Sequence, residues 1–277
     1  MCDASPTGAD RGEHSLSKVT VRKELIMRRF SLAFLLIVSI TSAYDAHALR
    51  LGAEKVIIPI IGRFPGAGGT QWRTDLFLAN PFSPTVTVTL RFYPAGAPMQ
   101  QRTFALPPYS NLTLPDVVLN TFEMVNAGGP LEVSASEDNT TEARARIYNT
   151  GNPAGQFGQG VPGIGFSYLN RQAYLFGLSA ADGTRLNVGV TNPNDVEATI
   201  SIYVYRDKSS LMLHSRSVTL PPHGNVQYND IAIAFGFAPQ DGIQIEMISS
   251  QYIYGYASEV RNDTGDAVFT FGLSPNF

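Results

Sequence analysis

The sequence predicts an all-β protein built from two tandem antiparallel β-sandwich domains. The first observation is an internal repeat, because RTDLFLANP at residues 73–81 returns as RLNVGVTNP at residues 185–193. The second is that the tripeptide LPP occurs at residues 106–108 and again at 220–222. The third is a period-two alternation of apolar and polar residues, interrupted by Pro, Gly and Asn clusters. Many short strands with frequent turn signals are typical of antiparallel sandwiches.

The alternation is clearest at residues 86–92 and is repeated at residues 198–204. Successive side chains of a strand point to opposite faces, so each of these strands has one buried and one solvated face. A solvated face favours antiparallel sheets over a parallel α/β arrangement, although a jelly roll or small barrel fits the same alternation. Residues 117–125 and 231–237 are each expected to form one helical turn.

Residues 1–48 predict an N-terminal extension followed by a cleaved secretory signal peptide. Arg28 and Arg29 form a basic region, residues 30–40 form an apolar run, and residues 46–48 are a small-x-small cleavage site. A membrane-spanning helix needs about 20 apolar residues, more than this run provides. We therefore expect a secreted, periplasmic or cell-surface protein whose mature form does not span the membrane.

Two sandwich domains are expected after this segment, at residues 49–165 and 166–277. The boundary follows the Gly- and Gln-rich stretch 155–160, and each domain is long enough to bury its own core.

Composition excludes several classes of function. Cys2 is the only cysteine, so the exported chain has no disulfide, thiolate metal site or cysteine nucleophile. Residues 1–48 hold 6 of the 20 basic and 5 of the 23 acidic residues, which leaves 14 and 18 and a net charge of −4. This balance offers no electrostatic footprint for nucleic acid.

Each repeated corner has a local physical reason. An Asn before Pro is held extended and can bond its own backbone, which ends a strand. Two consecutive prolines forbid ladder hydrogen bonds, so the chain must leave the sheet. Asp116 and Asp230 follow the LPP corners and suit a turn or the N-cap of the next helical turn.

The order of these corners resembles tandem immunoglobulin-like modules of secreted bacterial proteins. The segments that carry the resemblance are 80–81, 86–90 and 106–108 in the first copy, and 192–193, 199–203 and 220–222 in the second. The second copy is also faintly similar to the sensory rhodopsin transducer family through residues 200–203, its LPP corner and residues 229–230. That family is a small β-sandwich that forms oligomers. The resemblance implies the fold, allows a homo-oligomer, and carries over no functional residue.

No catalytic or cofactor pattern occurs in the sequence, so we expect no enzyme activity, cofactor or metal. His214 and His223, the only histidines after residue 48, have no acidic or hydroxyl residue at a diagnostic spacing. Residues 66–69 lack the lysine of a phosphate-binding loop. The acidic residues at 137–142 and 263–266 could supply calcium ligands, but hairpin tips are commonly built from the same residues.

Five residues are candidate ligand-binding residues: Trp72, Arg73, Arg185, Tyr203 and Tyr205. The alternation places both tyrosines on the solvated face, where aromatic rings can stack on sugars or anchor a protein partner. Arg73 and Arg185 occupy the same position in the two copies and suit either a sheet-face salt bridge or an acidic glycan or protein partner.

A further row of tyrosines, at positions 252, 254 and 256, shares one strand face. Aligning Tyr256 with Ala143 places it on the inner face, so core or inter-domain packing is preferred to ligand binding.

These observations predict an exported, non-catalytic binding, adhesion or scaffold protein whose partner is an extracellular protein or glycan. The alternative is a pair of carbohydrate-binding modules. An enzyme site at the domain junction and self-assembly through unpaired sheet edges are the remaining hypotheses.

Overall fold

Antiparallel β-strands make up most of the structure, which confirms the all-β class predicted from the alternation. The computed structural model describes residues 53–136, 141–181, 183–206 and 211–274. Residues 50–277 form one compact unit.

We call residues 53–165 the first half and residues 166–274 the second half. The described strands of the first half are β1 (Lys55–Pro65), β2 (Gln71–Asn80), β3 (Val86–Phe92), β4 (Gln100–Leu106), β5 (Ser110–Leu114), β6 (Ala127–Ala135), β7 (Glu142–Asn149), β8 (Phe157–Pro162) and β9 (Ile164–Gly165). Those of the second half are β10 (Asn170–Ser179), β11 (Thr184–Thr191), β12 (Ala198–Arg206), β13 (Leu211–Leu220), β14 (Asn225–Tyr228), β15 (Asp241–Arg261) and β16 (Ala267–Phe271). The expected helical turns are α1 (Val117–Asn120) and α2 (Ile231–Phe235), and 3₁₀ turns span Ala67–Gly69 and Phe166–Tyr168.

The two halves pair their strands in the same order. In the first half β6 lies between β1 and β3, and β3 also pairs with β4. Strands β2 and β7 pair with each other, β2 also pairs with β5, and β7 also pairs with β8. In the second half the first part of β15 lies between β10 and β12, and β12 also pairs with β13. The second part of β15 pairs with β11 and β16, and β11 also pairs with β14. The 21-residue strand β15 thus takes the places of both β6 and β7.

Each half has its own apolar core, and the alternation decides which side chains enter it. Val86, Val88 and Leu90 of β3 are fully buried, and so are Ile200 and Ile202 of β12. Burying one such aliphatic side chain stabilises the fold by about 1.5–3 kcal/mol. The duplicated alternation therefore builds two equivalent cores.

The Asn-Pro and LPP corners are joined by one buried asparagine in each half. The Asn80 side-chain amide donates to the backbone carbonyls of Pro84 at 2.8 Å, Leu106 at 3.1 Å and Pro107 at 3.0 Å. The Asn192 amide donates in the same way to Val196 at 2.8 Å, Leu220 at 3.3 Å and Pro221 at 2.9 Å. The predicted local bond is also present, because Asn80 Oδ1 accepts from the Phe82 N–H at 3.1 Å. Each asparagine thus satisfies carbonyls that the prolines leave without a ladder partner.

The halves contact each other through an apolar cluster with hydrogen bonds beside it. The cluster contains Ile57, Ile164, Leu169, Tyr254 and Tyr256. The Tyr254 hydroxyl donates to the Pro162 carbonyl at 2.8 Å, and the Thr191 hydroxyl donates to the Pro59 carbonyl at 2.8 Å. Inter-domain packing, one of the two preferred interpretations of the tyrosine row, thus describes Tyr254 and Tyr256, whereas Tyr252 is 43% exposed.

The alignment of Tyr256 with Ala143 was wrong by one residue. Tyr256 lies opposite Gly189, and Arg144 lies opposite Phe77, which is the repeat equivalent of Gly189. Tyr256 therefore corresponds to Arg144. A shift of one residue exchanges the two faces of a strand, so Tyr256 points out of its own core and is buried by the first half.

Candidate ligand-binding cleft between the halves

A cleft of about 760 Å³ lies where the two halves meet. Its walls come from β1, β2, β6, β7 and β8 of the first half and from β11, β14, α2 and β15 of the second. This volume falls within the range of roughly 300–1,000 Å³ that is usual for small-molecule sites. Trp72 and Arg185 both line the cleft, so the structure brings together two of the five predicted site residues.

The first half contributes an aromatic wall. Trp72 and Phe64 line the cleft from β2 and β1 and are partly buried. The indole of Trp72 lies against Gly66, where an added Cβ would collide with the ring. Gly66 is therefore required for the close approach of the tryptophan, a role that the sequence analysis did not assign to it.

The second half contributes a charged wall formed by Arg185 and Asp230. Arg185 Nη1 donates to Asn262 Oδ1 at 2.8 Å. Burial lowers the pKa of Arg185, and the nearby negative charge of Asp230 opposes this shift. Within the described ranges, the Asp230 carboxylate has no hydrogen-bond donor and no ion pair. The cleft thus holds a carboxylate whose hydrogen-bonding capacity is unused.

The equivalent pair in the first half is neutralised. Arg73 Nε lies 3.6 Å from Asp116 Oδ2, and Arg63 Nε lies 3.0 Å from the same oxygen. The predicted sheet-face salt bridge is therefore present for Arg73, whereas Arg185 bonds to an amide instead. Asp116 and Asp230 are the N-cap residues of α1 and α2, as expected, with left-handed φ angles of 41° and 50°, but neither side chain forms a capping hydrogen bond.

Amide and hydroxyl groups line the floor of the cleft and hold one another in place. Ser258 Oγ donates to Gln159 Oε1 at 2.8 Å, across the junction. Gln227 Nε2 donates to Asn229 Oδ1 at 2.7 Å, and the Tyr256 hydroxyl donates to Gln227 Oε1 at 3.1 Å. The floor is therefore polar and ordered by hydrogen bonds that cross between strands.

Tyr203 and Tyr205 lie on β12, outside the cleft. Their rings stack with centroids 6.5 Å apart, and Ile202 and Val204 between and beside them are buried, as the alternation predicts. Tyr205 lines a separate pocket of about 180 Å³ with Tyr174 and Glu246. The hydrogen bond to Glu246 and burial together raise the pKa of Tyr174 to about 12.

Phe64, Asp230 and Gln159 line the cleft but were not among the residues predicted from the sequence to bind a ligand. The repeat aligns Asp230 with Asp116, but Asp116 has a second arginine partner, Arg63, that Asp230 lacks in the described structure. This difference distinguishes Asp230 as a cleft residue. Phe64 and Gln159 have no such signal, since only the packing of the halves brings them to the cleft.

Two features are absent from the residues that the structure describes. These residues contain no helix that is both long and apolar enough to cross a membrane. They also contain no group of three or more His, Cys, Asp or Glu side chains arranged to hold a metal ion. Residues 137–140, part of one calcium hypothesis, lie outside the described ranges.

Comparison with known proteins yields no assignment. No protein-family model matches the chain, and no curated protein matches it. The crystal structure of Thermotoga maritima 1070 is similar over 37% of this chain and 91% of its own, with 15% identity and a TM-score of 0.32. The Pseudomonas aeruginosa CupB2 chaperone covers 77% of this chain and 97% of its own, with 11% identity and a TM-score of 0.16. A Pleurotus ostreatus lectin in complex with GalNAc covers 80% and 82%, with 12% identity and a TM-score of 0.14. These TM-scores are too low to support any functional argument.

Proposed function

We propose that this protein is an exported, non-catalytic binding or scaffold protein that acts through two duplicated immunoglobulin-like β-sandwich modules. The observation that carries the proposal is the junction cleft, to which one module contributes Trp72 and the other contributes Arg185 and Asp230. Neither module alone holds this set of side chains. Two modules are therefore needed for binding, because each contributes side chains to the same cleft.

The modular architecture is supported by the shared strand-pairing order and by the asparagine corners. Each half would be one sandwich. In the first half β1, β3, β4 and β6 would form one layer and β2, β5, β7 and β8 the other, and the end of β1 also pairs with β2, which joins the two layers. The junction cluster around Tyr254 and Tyr256 would hold the modules in one arrangement and keep the cleft preformed. Preformed sites lose less conformational entropy on binding.

The second candidate function is a pair of carbohydrate-binding modules, and the chemistry of the cleft favours a saccharide as ligand. The rings of Trp72 and Phe64 offer flat apolar surfaces for the C–H face of a sugar. The Asp230 carboxylate, the Arg185 guanidinium and the amides of the floor can bond to hydroxyl groups. A few fixed polar groups beside aromatic rings are the usual composition of such pockets.

Tryptophan fluorescence tests this function directly, because Trp72 is the only tryptophan in the chain. Titration of the purified protein with neutral and acidic oligosaccharides is expected to give a saturable change in emission for at least one class. Asp230→Asn and Arg185→Gln are expected to weaken that binding about tenfold each, since about 1.4 kcal/mol corresponds to one decade of Kd. Tyr203→Ala, an aromatic change outside the cleft, is the matched control and should bind normally.

The outcomes separate the two forms of the proposal. If no saccharide changes the emission but a purified envelope protein does, the general binding function stands and the carbohydrate form is rejected. If binding survives both Asp230→Asn and Arg185→Gln unchanged, the cleft is not the binding site.

A further inference from the structure

A broad, accessible sheet face lies on the first half, beside the junction cleft, and Gln159 of β8 borders both. We call it the open face, and it is formed by Phe77, Asn111, Glu142, Arg144 and Arg146 on β2, β5 and β7. These side chains line a groove of about 760 Å³, and three of them, Asn111, Glu142 and Arg144, are exposed. The open face is therefore accessible to the side chains of a partner.

The equivalent face of the second half is the one that the first half covers. Cross-strand pairing shows the correspondence, since Phe77 lies opposite Arg144 as Gly189 lies opposite Tyr256. In the second half the Tyr256 ring lies over Gly189 and is buried in the junction cluster. The same sheet position is thus an interface in one half and uncovered in the other.

One polar residue of the covered face is retained on the open face. Asn225 lies opposite Thr191 in the second half, and Asn111 lies opposite Ala79 in the first. Asn225 Nδ2 donates to Thr191 Oγ1 at 2.9 Å and lies 3.4 Å from the Pro59 carbonyl of the first half. The Asn111 amide makes no such contact within the described part of the chain, so it is available to a carbonyl from outside.

The covering side of the junction also has an uncovered counterpart. Ile57 and Ile164 of the first half are buried against the second half. Ile57 follows Val56, which pairs with Val133, and Phe176 follows Leu175, which pairs with the repeat equivalent of Val133. Leu273 bridges to Tyr174 of β10, two residues before Phe176, whereas Ile164 pairs with Ile57 itself.

Phe176 therefore lies at the position of Ile57, at the start of a register shift in β10, and Leu273 lies on the segment next to β10, yet these residues are 59% and 39% exposed. We call these two residues the free end of the second half. Large apolar side chains that remain exposed at an interface position indicate a surface that is normally covered.

The open face carries two arginines and one carboxylate, Glu142, so its net charge is positive, opposite in sign to the carboxylate near the free end. The guanidinium groups of Arg144 and Arg146 stack on Phe77 and Tyr148 at 5.0 and 4.7 Å, and neither forms an ion pair within the described ranges. Near the free end, Glu246 accepts hydrogen bonds from Tyr174 and Gln172, both of which are neutral groups. Its negative charge is therefore not cancelled by a neighbouring cation in the described structure.

We propose that the open face of one molecule binds the free end of a second copy, repeating between molecules the contact that joins the two halves within one. The two surfaces differ, so the interface is head-to-tail, and each added copy leaves one open face and one free end. Such a heterologous contact builds open chains of molecules unless its rotation closes a ring. Trp72, Arg185 and Asp230 of the junction cleft take no part in this contact, so the proposal stands or fails independently of the proposed binding function.

Sedimentation equilibrium of the purified protein over micromolar to millimolar concentrations tests the proposal. The weight-average mass is expected to rise with concentration beyond that of a dimer, and to rise less at high salt because the charged contact is screened. A single monomeric mass over the whole range would overturn the proposal.

Two variants block opposite surfaces. Phe176→Glu on the free end and Arg144→Glu on the open face are each expected to weaken association about tenfold or more. The first places a carboxylate in the apolar part of the contact, where it loses its hydration, and the second sets a carboxylate against Glu246. Met99→Glu introduces the same charge at an exposed apolar residue outside both surfaces and is the matched control. Circular dichroism verifies folding, and Arg146→Glu is a second open-face variant in case Arg144→Glu does not fold.

Mixing the two blocked variants distinguishes the head-to-tail contact from a symmetric one. Phe176→Glu keeps an intact open face and Arg144→Glu keeps an intact free end, so an equimolar mixture is expected to form a 1:1 complex that grows no further. If the mixture stays monomeric while the unaltered protein associates, the interface is not the one proposed. Association that both variants leave unchanged would lead to the same conclusion.

Discussion

Two sheet faces, the outer face of β2 and β7 in the first half and that of β11 and β15 in the second, have the same strand pairing. The first is exposed and the second is buried. At one pair of equivalent positions, Arg144 stacks on Phe77 and is exposed, whereas Tyr256 lies over Gly189 and is buried. The backbone pairing around them is the same. The comparison teaches that the same arrangement of strands and corners can carry an uncovered surface in one half and an internal interface in the other.

A second difference separates Asp116 from Asp230. Both follow an LPP corner and adopt a left-handed backbone, and neither side chain forms a capping hydrogen bond. Asp116 is paired with two arginines, whereas Asp230 faces the cleft without an ion pair in the described structure. The framework position is thus structural in one half and available for ligand contact in the other.

The largest expected effect compares the two equivalent face positions. Tyr256→Ala should lower the free energy of unfolding by about 3–5 kcal/mol, because a buried aromatic ring leaves a cavity at the junction. Arg144→Ala should cost less than about 1 kcal/mol, because an exposed cation–π contact is weak. Urea unfolding measures both, and equal losses would contradict the assignment of the two faces.

The corner asparagines should behave alike, which tests the shared framework. Asn80→Ala and Asn192→Ala each leave buried carbonyls without donors, at a cost of about 2–3 kcal/mol. Urea unfolding of the two variants is expected to show losses within about 1 kcal/mol of each other, given the factor-of-two spread of such bonds. A large loss for only one variant would mean that the two corners are not energetically equivalent.

The two aspartates should respond differently to the same substitution. Asp116→Asn should destabilise the protein by about 2 kcal/mol, because Arg63 and Arg73 lose their charged partner while Asn still tolerates the left-handed backbone. Asp230→Asn should change stability by less than about 0.5 kcal/mol, since it breaks no bond within the described chain. Thermal unfolding of both variants checks this, and a destabilised Asp230→Asn would show a structural role for Asp230.

The junction tyrosines predict an alkaline loss of stability. Burial raises the pKa of Tyr254 and of Tyr256 above the ordinary value of 10.0. In the unfolded chain these hydroxyls ionise near pH 10.0, whereas in the folded chain they keep their protons, so stability is constant below pH 10 and falls above it. Each such tyrosine contributes a fall of about 1.4 kcal/mol per pH unit above that value.

Unfolding free energies measured between pH 9 and pH 12 check the alkaline effect, with pH chosen to bracket the ordinary tyrosine range of about 10. Tyr254→Phe should show a shallower decline than the unaltered protein. Tyr109→Phe, a change at a tyrosine that is 73% exposed, should leave the slope unchanged.

Much of the fold could be predicted from the repeat and the alternation. Residues 86–92 and 198–204 alternate strictly, and the structure buries the expected face of each. Both helical turns also form where expected. The predicted alignment of Tyr256 was wrong by one residue. The single strand β15 replaces two strands of the first half, and the constant offset of the repeat does not reveal a shift of one residue there.

The candidate site was less predictable. Trp72 and Arg185 were selected for their residue types and their positions in the repeat, and the cleft contains both. Arg73 is held by Asp116, and Tyr203 and Tyr205 lie on a different sheet face. Sequence patterns report which face a side chain occupies, but they contain no information on how two sandwich-like halves pack.

The amino-acid sequence by itself determined the all-β class, the strand faces and the repeated corners, because these depend on local periodicity and on the backbone limits of Asn and Pro. Only the tertiary structure decided that Tyr256 is an interface residue, that Trp72 and Asp230 share a cleft, and that one sheet face stays open. These features depend on contacts between residues far apart in the chain. Their physical basis is the mutual burial of two surfaces, and the sequence of either surface alone does not specify its partner.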